Sequence, residues 1–127
     1  MECIWCGGRV KKGRGEHLWS QKLHSEIVQH LPDEADIRSY QALERGPRPS
    51  LEKLKVRQGH PYKIAINRVC PNCNNGWMNQ LDERVRPTVI ELIHGRRVTL
   101  PNDEARALAS WITMKMMVRD QYDPDTA

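Results

Sequence analysis

Cys3-Ile4-Trp5-Cys6 near the start of the chain and Cys70-Pro71-Asn72-Cys73 past its midpoint are the stretches that decide the fold. Together they contain all four cysteines of the 127 residues. Two cysteines separated by two residues can place both thiolates on one tight turn, and two such pairs supply the four tetrahedral ligands of a structural zinc site. We therefore predict that one Zn²⁺ ties the N-terminus to the middle of the chain through Cys3, Cys6, Cys70 and Cys73.

Disulfide pairing is the alternative interpretation of the same cysteines. Each pair can form a local redox disulfide, or the four can cross-link a secreted domain. A thioredoxin-like redox site is expected within a βαβ pattern, which the sequence does not show. Residues 1–7 contain neither the basic region nor the apolar run of a secretion signal. The spacing thus favours zinc, in a cytoplasmic protein whose thiolates stay unpaired.

The composition suits one small, mildly basic domain. Hydrophobic residues make up 39% of the chain, aromatic residues 6%, and Phe is absent, so a bound metal would compensate for a thin core. The net charge of +4 is compatible with a polyanionic partner. No apolar stretch approaches the roughly 20 residues of a membrane span. The basic residues cluster at Arg9, Lys11, Lys12 and Arg14, at Lys53, Lys55 and Arg57, and at Arg96 and Arg97.

The residues between the two cysteine pairs predict one helix and one hairpin. Residues 16–20 are a short segment that can be extended. A helix is then expected from Ser20 to about Leu31, with Leu23, Ile27 and Val28 on its buried stripe. Residues 32–50, rich in proline and charge, are interpreted as a loop or an inserted subdomain. The alternating runs at 51–56 and 62–66 predict two paired strands joined by a turn at 58–61.

Two helices are predicted after the second cysteine pair. The first is capped by Asn74 or Asn75, buries a stripe of every fourth residue, breaks or kinks at Pro87 and ends at Gly95. A short strand at 98–100 and a last helix from 101 to about 120 follow. The chain stops soon afterwards, which is also compatible with a piece of a longer protein. The expected apolar stripes are Trp77, Leu81 and Val85 in the first helix and Leu108, Ile112 and Met116 in the last.

An acid–histidine pair follows the first cysteine pair, in Glu16-His17-Leu18-Trp19, and Asn74-Asn75-Gly76-Trp77-Met78 follows Cys73 directly. This order resembles the HNH endonucleases, the ββα-metal nucleases. More narrowly, it is similar to a group of phage and bacterial HNH proteins that pair an E-H-x-[WF] segment with a C-x2-C-N-N-G-W-M segment. The resemblance covers about residues 1–95.

The resemblance implies an α+β fold with a zinc-stapled ββα-metal core and additional helices. It makes residues 1–127 a single HNH-type domain, with the core at about 1–95 and a strand and C-terminal helix at 96–127. The implied function is metal-dependent hydrolysis of DNA phosphodiester bonds, in a bacterial host cell or a phage-infected cell. His17 is then the general base, and Glu16 and Asn74 hold a catalytic Mg²⁺ or Mn²⁺. The zinc is structural.

The implied roles agree with the chemistry of the residue types. Mg²⁺ takes oxygen ligands, usually one or two from the protein, and can stabilise a leaving oxygen. A neutral imidazole takes a proton from water near pH 7. A helix that begins near Asn74 would favour a phosphate at its N-terminus.

This chain departs from the family pattern at several positions. Glu16 replaces the more frequent Asp, Ser20 replaces a common proline, and Asn67 lies closer to Cys70 than the usual middle asparagine. Asn75 is an alternative to Asn74 as the ligand. The remaining histidines are interpreted as surface residues at positions 24, 30 and 60, and as a partner of a helix dipole at position 94.

Two other classes of function stay open at this level. One is a non-catalytic zinc-knuckle module that binds nucleic acid, and the other is a structural or interaction domain in which zinc only holds the fold. Glu16 beside His17 favours the nuclease over the binding module. The basic clusters favour both over the structural domain.

Overall fold

The computed structural model describes residues 1–11, 16–30, 36–42, 51–58 and 65–121. Helices account for most of the regular structure in these ranges. The strands are β1 (Glu16–His17), β2 (Asp36–Ala42), β3 (Leu51–Gln58) and β4 (Ala65–Ile66). The helices are α1 (His24–Val28), α2 (Pro71–Cys73), α3 (Asn79–Ile93) and α4 (Asn102–Arg119).

A short antiparallel pair, β1 with β4, joins the two segments that carry the cysteines. Glu16 is opposite Ile66, and His17 is opposite Ala65. A backbone hydrogen bond of 3.0 Å from Ile4 N–H to the carbonyl of Arg68 continues the link on the N-terminal side. The chain therefore returns to the first cysteine turn just before it reaches the second.

The second strand pair corrects the predicted hairpin. β3 pairs in antiparallel fashion with β2, from Asp36 opposite Gln58 to Ala42 opposite Leu51, and not with the strand that ends at Ile66. β2 lies within the segment that the sequence suggested was a loop or an inserted subdomain. The physical reason is competition for partners, because β4 is already paired with β1. The expected turn residues 59–61 lie outside the described residues.

The helix expected from Ser20 to Leu31 is shorter than predicted. A 3-10 turn at Gln21–Leu23 leads into α1, which ends at Val28. Ser20 makes no side-chain capping bond, which removes the main signal for an early α-helical start. The buried stripe is confirmed at Leu23, which is 2% exposed, and at Ile27, which packs against the core. Leu31 lies outside the described residues.

The helical region after the second cysteine pair begins earlier than predicted and changes phase. α2 starts at Pro71, and a π-type turn at Asn74–Met78 then leads into α3. The backbone kinks within this turn at Gly76, whose φ of −92° and ψ of −115° are not helical, and the kink changes the faces that follow. Met78 is consequently buried, in phase with Val85 and Val89 of α3, whereas Trp77 is 42% exposed. The prediction that Trp77 belongs to the core is wrong.

α3 runs through Pro87, so of the two outcomes predicted there, a break or a kink, the break does not occur. Proline removes one helical hydrogen bond, but Val85 and Val89 on either side of it are both buried and hold the helix in place. The predicted end is confirmed, since Gly95 adopts a φ of +73° just beyond α3. Residues 96–100 form no strand, contrary to the expectation for 98–100.

α4 has the predicted extent but a different buried face. Leu108 of the predicted ridge packs against the core, whereas Ile112 and Met116 are 49% and 57% exposed. The buried face is shifted by one residue, from Ile112 to Trp111, and the indole of Trp111 contacts α3. Its residues are Ala107, Trp111, Met114, Lys115 and Val118.

One hydrophobic cluster includes residues from the first cysteine turn, the β1–β4 region, α3 and α4. It extends from Cys3 and Leu18 through Ile66 and Val85 to Val118. Within the described ranges, no helix has the length and apolar character needed to cross a membrane.

Candidate metal centre and active site

The four cysteines converge as predicted. Their sulfur atoms all lie within 4.8 Å of one another, and Cys6 Sγ is 3.6 Å from Cys70 Sγ. Zinc–sulfur bonds of about 2.3 Å in a tetrahedron separate the sulfurs by about 3.8 Å. All four are free thiols, so the disulfide alternatives are not formed. This four-cysteine cluster (Cys3, Cys6, Cys70 and Cys73) fits a structural zinc site.

Two glycines shape the first half of the four-cysteine cluster. Gly7 has a φ of +71°, a conformation that other residues adopt only with strain, and its N–H donates to the Cys3 carbonyl at 2.9 Å. Gly8 N–H points to Cys6 Sγ at 3.4 Å. A Cβ at Gly8 would lie 3.2 Å from the same sulfur. The backbone thus approaches Cys6 more closely than a side chain would readily permit.

The second half of the four-cysteine cluster is built on a helix start. Cys70 is the N-cap of α2, and Pro71 occupies the first helical turn, where a missing N–H costs nothing. The Cys73 N–H points to Cys70 Sγ at 3.4 Å. Backbone N–H groups therefore face sulfur in both turns and stabilise thiolate charge.

The protonation of the thiols depends on their position in the four-cysteine cluster. Burial alone would raise the pKa of Cys3, but backbone N–H groups directed at its sulfur outweigh that effect and lower the pKa to about 6. Burial, reinforced by the neighbouring thiols, raises the pKa of Cys73 to about 12. Four thiolates so close together require a compensating cation, and zinc binding deprotonates the thiols that it coordinates.

Two tryptophans lie beside the four-cysteine cluster. Trp5, within the first turn, packs against the core, and its ring meets that of Trp77 edge to face, with centroids 5.2 Å apart and planes at 85°. The π-type turn that exposes part of Trp77 thus also places it over the first cysteine turn. This contact adds to the backbone links between the two cysteine segments.

His17 lies half-buried on β1, where it follows Glu16. Its Nδ1 is shielded from solvent and has no hydrogen-bond partner among the described residues. The ring of His24 meets it edge to face at 5.6 Å. Burial, together with the nearby His24, lowers the pKa of His17 below its ordinary value. The imidazole is therefore neutral near pH 7 and able to accept a proton. His24 is itself half-buried, unlike the surface residue that was predicted.

Asn74 is the first residue of the π-type turn and is half-buried, and its N–H donates to the Cys70 carbonyl at 3.0 Å. Strand pairing and the four-cysteine cluster bring its segment to the same region of the fold as β1. The expected grouping of the Glu16, His17 and Asn74 side chains around a cation stays a prediction. Among the described residues, the four-cysteine cluster is the one group of three or more potential ligands with metal-site geometry.

A buried ionic contact between α3 and α4 was not predicted. Lys115, only 5% exposed, places Nζ 3.3 Å from Asp82 Oδ1, and the Trp111 indole N–H donates to the same carboxylate. The Trp111 ring also lies 6.1 Å from that of Trp19, two residues after His17. The sequence contains no local signal for a pair of charges 33 residues apart. We refer to Asp82, Trp111 and Lys115 as the α3–α4 ionic contact.

A second unpredicted group lies at the end of α3. His94 is the C-cap of that helix, consistent with the predicted dipole interaction, but its Nε2 is also 2.6 Å from Glu26 Oε2. Its Nδ1 lies 3.1 Å from Nε2 of His30, which is exposed as predicted. The sequence signals a helix end here and gives no indication of the partners.

Comparison with known proteins gives no match. The chain matches no protein-family model. A search of curated proteins and a search of solved structures likewise find nothing similar.

Proposed function

We propose that the protein is a metal-dependent endonuclease of the HNH type that hydrolyses phosphodiester bonds in DNA. The observation that carries the proposal is the antiparallel pairing of β1 with β4, which brings the Glu16-His17 strand beside the chain that enters the four-cysteine cluster. Two short strands followed by a helical segment that begins at Pro71 and includes Asn74 agree with the ββα-metal core that the sequence resemblance implies.

His17 acts as the general base in this proposal. Its lowered pKa keeps the imidazole neutral near pH 7, and its half-buried ring lies on β1 beside that of His24. His17 accepts a proton from water while the oxygen of that water forms a bond to phosphorus. The bond from phosphorus to the bridging oxygen breaks, and the departing alkoxide takes a proton from solvent. The reaction leaves one phosphomonoester end and one hydroxyl end.

Glu16 and Asn74 are proposed to hold a divalent cation. A carboxylate and an amide carbonyl are oxygen donors, which match the preference of Mg²⁺ and Mn²⁺. Once bound, such a cation supplies charge stabilisation for the leaving oxygen and the transition state. The zinc of the four-cysteine cluster has no open position for substrate, because four thiolates complete a tetrahedral site.

A plasmid-nicking assay tests this function. Wild-type protein is incubated with supercoiled DNA at neutral pH, with Mg²⁺, with Mn²⁺ or with chelator, and conversion to nicked and linear DNA is followed on gels. We expect cleavage only with the divalent ions. The His17→Ala variant should retain zinc and fold but cleave roughly 10²–10⁴-fold more slowly, the usual effect of removing a general base.

His60→Ala is the matched control, because the sequence predicts position 60 to be a surface histidine without a catalytic role. It should cleave at the wild-type rate. If His17→Ala also cleaved at that rate, the assignment would be wrong. DNA binding without cleavage in any ion would instead identify the protein as the zinc-knuckle binding module.

A further inference from the structure

Glu26, His30 and His94 form a chain of polar contacts on the surface formed by α1 and the end of α3. His94 Nε2 lies 2.6 Å from Glu26 Oε2, and His94 Nδ1 lies 3.1 Å from His30 Nε2. The two rings are 5.1 Å apart with planes at 62°. His94 and Glu26 have only 18% and 28% of their side chains exposed, whereas His30 is open to solvent.

The carboxylate fixes the tautomer of His94. Glu26 accepts only, so the short contact requires a proton on His94 Nε2. In the neutral ring, His94 Nδ1 then carries a lone pair, and this lone pair faces His30. His30 can turn either an N–H or a lone pair of Nε2 toward it. With a lone pair on each side, the two nitrogens are placed to share a cation.

We propose that His94 Nδ1 and His30 Nε2 bind a divalent transition-metal ion, with Glu26 oriented behind His94 as an outer-shell carboxylate. At metal–nitrogen distances of about 2.0–2.1 Å, nitrogens 3.1 Å apart subtend an angle of about 98° at the metal, between octahedral and tetrahedral values. Imidazole ligands suit Ni²⁺, Cu²⁺ and Zn²⁺ rather than Mg²⁺. Water fills the other positions on the exposed side.

The arrangement includes the outer carboxylate that metal-binding histidines usually have. A ligating histidine commonly donates its other N–H to a carboxylate, which fixes the ring and raises its basicity. Glu26 already holds His94 in this way, so half of the site is oriented before a metal binds. The ion would join the end of α1 to the end of α3. Its ligands are separate from those of both the four-cysteine cluster and the proposed active site.

Nickel is the probe, because Ni²⁺ binds imidazole well and is not reduced by thiols. Protein whose four-cysteine cluster is filled with zinc is titrated with Ni²⁺ by calorimetry, and broadening of histidine ring signals by the paramagnetic ion is followed by NMR. We expect one Ni²⁺ per chain in addition to zinc, with broadening at His30 and His94. Glu26→Gln should weaken Ni²⁺ binding roughly 10- to 100-fold.

His30 is the exposed ligand of the proposed site, so its substitution is the most direct test. His30→Ala should fold normally and lose the Ni²⁺ isotherm, whereas His94→Ala also removes a half-buried contact. His60→Ala controls for general affinity of histidines and should bind Ni²⁺ as wild type does. Unchanged affinity and stoichiometry in His30→Ala would overturn the site, as would broadening confined to His17 and His24. These outcomes do not depend on nuclease activity.

Discussion

Replacing Asp82 with Ala should destabilise the fold more than the loss of one surface charge would. The carboxylate accepts from the Trp111 indole and lies 3.3 Å from Lys115 Nζ. The side chains of Asp82 and Lys115 are 12% and 7% exposed, so solvent has little access to either charge. The variant leaves a buried ammonium and a buried indole N–H without their acceptor.

The expected loss in the free energy of unfolding follows from these two unpaired groups. Removing one partner of a buried ion pair typically costs about 3–5 kcal/mol. An indole N–H left unpaired costs about 1–3 kcal/mol, but the two effects overlap because water can enter the space of the deleted carboxylate. We expect a loss of about 4 kcal/mol in the free energy of unfolding. Small domains have roughly 5–15 kcal/mol in total, so the variant should remain folded but melt roughly 10–20 °C lower.

Urea unfolding followed by tryptophan fluorescence measures the loss. Zinc is held at a fixed excess, because metal binding to the folded state adds to the apparent stability. Glu83→Ala is the control on the same helix turn. Glu83 is half exposed and pairs with Lys22 and Arg86 at the surface, so its removal should leave the urea midpoint nearly unchanged.

A double variant separates the ionic contact from simple packing. Asp82→Leu combined with Lys115→Met removes both charges, and hydrophobic replacement of a buried ion pair is often close to neutral. It should regain the part of the loss that comes from the unpaired ammonium, whereas the Trp111 indole N–H stays without its acceptor. A loss below about 1 kcal/mol in Asp82→Ala, or a double variant no more stable than the single one, would refute the reasoning.

Three further tests concern the proposed zinc ligands, the proposed general base and the basic residues after the first cysteine turn. Cys70→Ser should lose the bound zinc, measured by metal analysis, and most of its helical circular dichroism, because structural zinc in small domains contributes on the order of 10 kcal/mol to folding; wild-type protein with no zinc and two disulfides would contradict this. His17→Ala should lower the cleavage rate roughly 10²–10⁴-fold without changing the zinc content. DNA affinity should fall steeply with salt, and replacing Lys11, Lys12 and Arg14 with Ala should reduce the slope of log K against log salt by up to roughly 3, whereas an unchanged slope would place these residues away from the DNA.

The features that sequence predicted correctly depend on short-range chemistry. The four-cysteine cluster is one, because the C-x2-C spacing places two thiols on one tight turn, where both can bind the same metal ion. The end of α3 is another, since Gly95 supplies the positive φ of a helix C-terminus. The Glu16-His17 pair was correctly placed in an extended segment after the first cysteine turn.

The features that sequence did not predict depend on partners far along the chain. Apolar residues lie on more than one side of α4, so Leu108, Ile112 and Met116 formed as plausible a ridge as the true one. Asp82 of α3 contacts both Trp111 and Lys115, and these contacts favour burial of the face of α4 that carries them. A four-residue repeat of apolar side chains within one helix gives no information about a hydrogen-bond acceptor on another helix.

The phase change at the π-type turn is a second case of the same kind. A regular helix from Asn74 would have placed Trp77 and Val85 on related faces, but with the backbone kinked at Gly76, Met78 is buried with Val85 and Trp77 is exposed. The turn contains Gly76, whose dihedral angles of −92° and −115° depart from the helix. A glycine alone is a weak indication of such a departure. The burial of Met78 and the exposure of Trp77 show which residues face the core.

The two helical regions whose faces differ from prediction matter for the proposed chemistry, because one packs against the segment of His17 and the other against the first cysteine turn. Trp19 follows His17 by two residues and meets Trp111 of α4, whose orientation is fixed by Asp82 of α3. Trp77 meets Trp5 in the first cysteine turn. The segment that carries His17 is thus joined through β4 to the four-cysteine cluster and through the Trp19–Trp111 contact to α4. Residues beyond 95 therefore support the segment of the proposed general base, even though none of them is proposed to contact substrate.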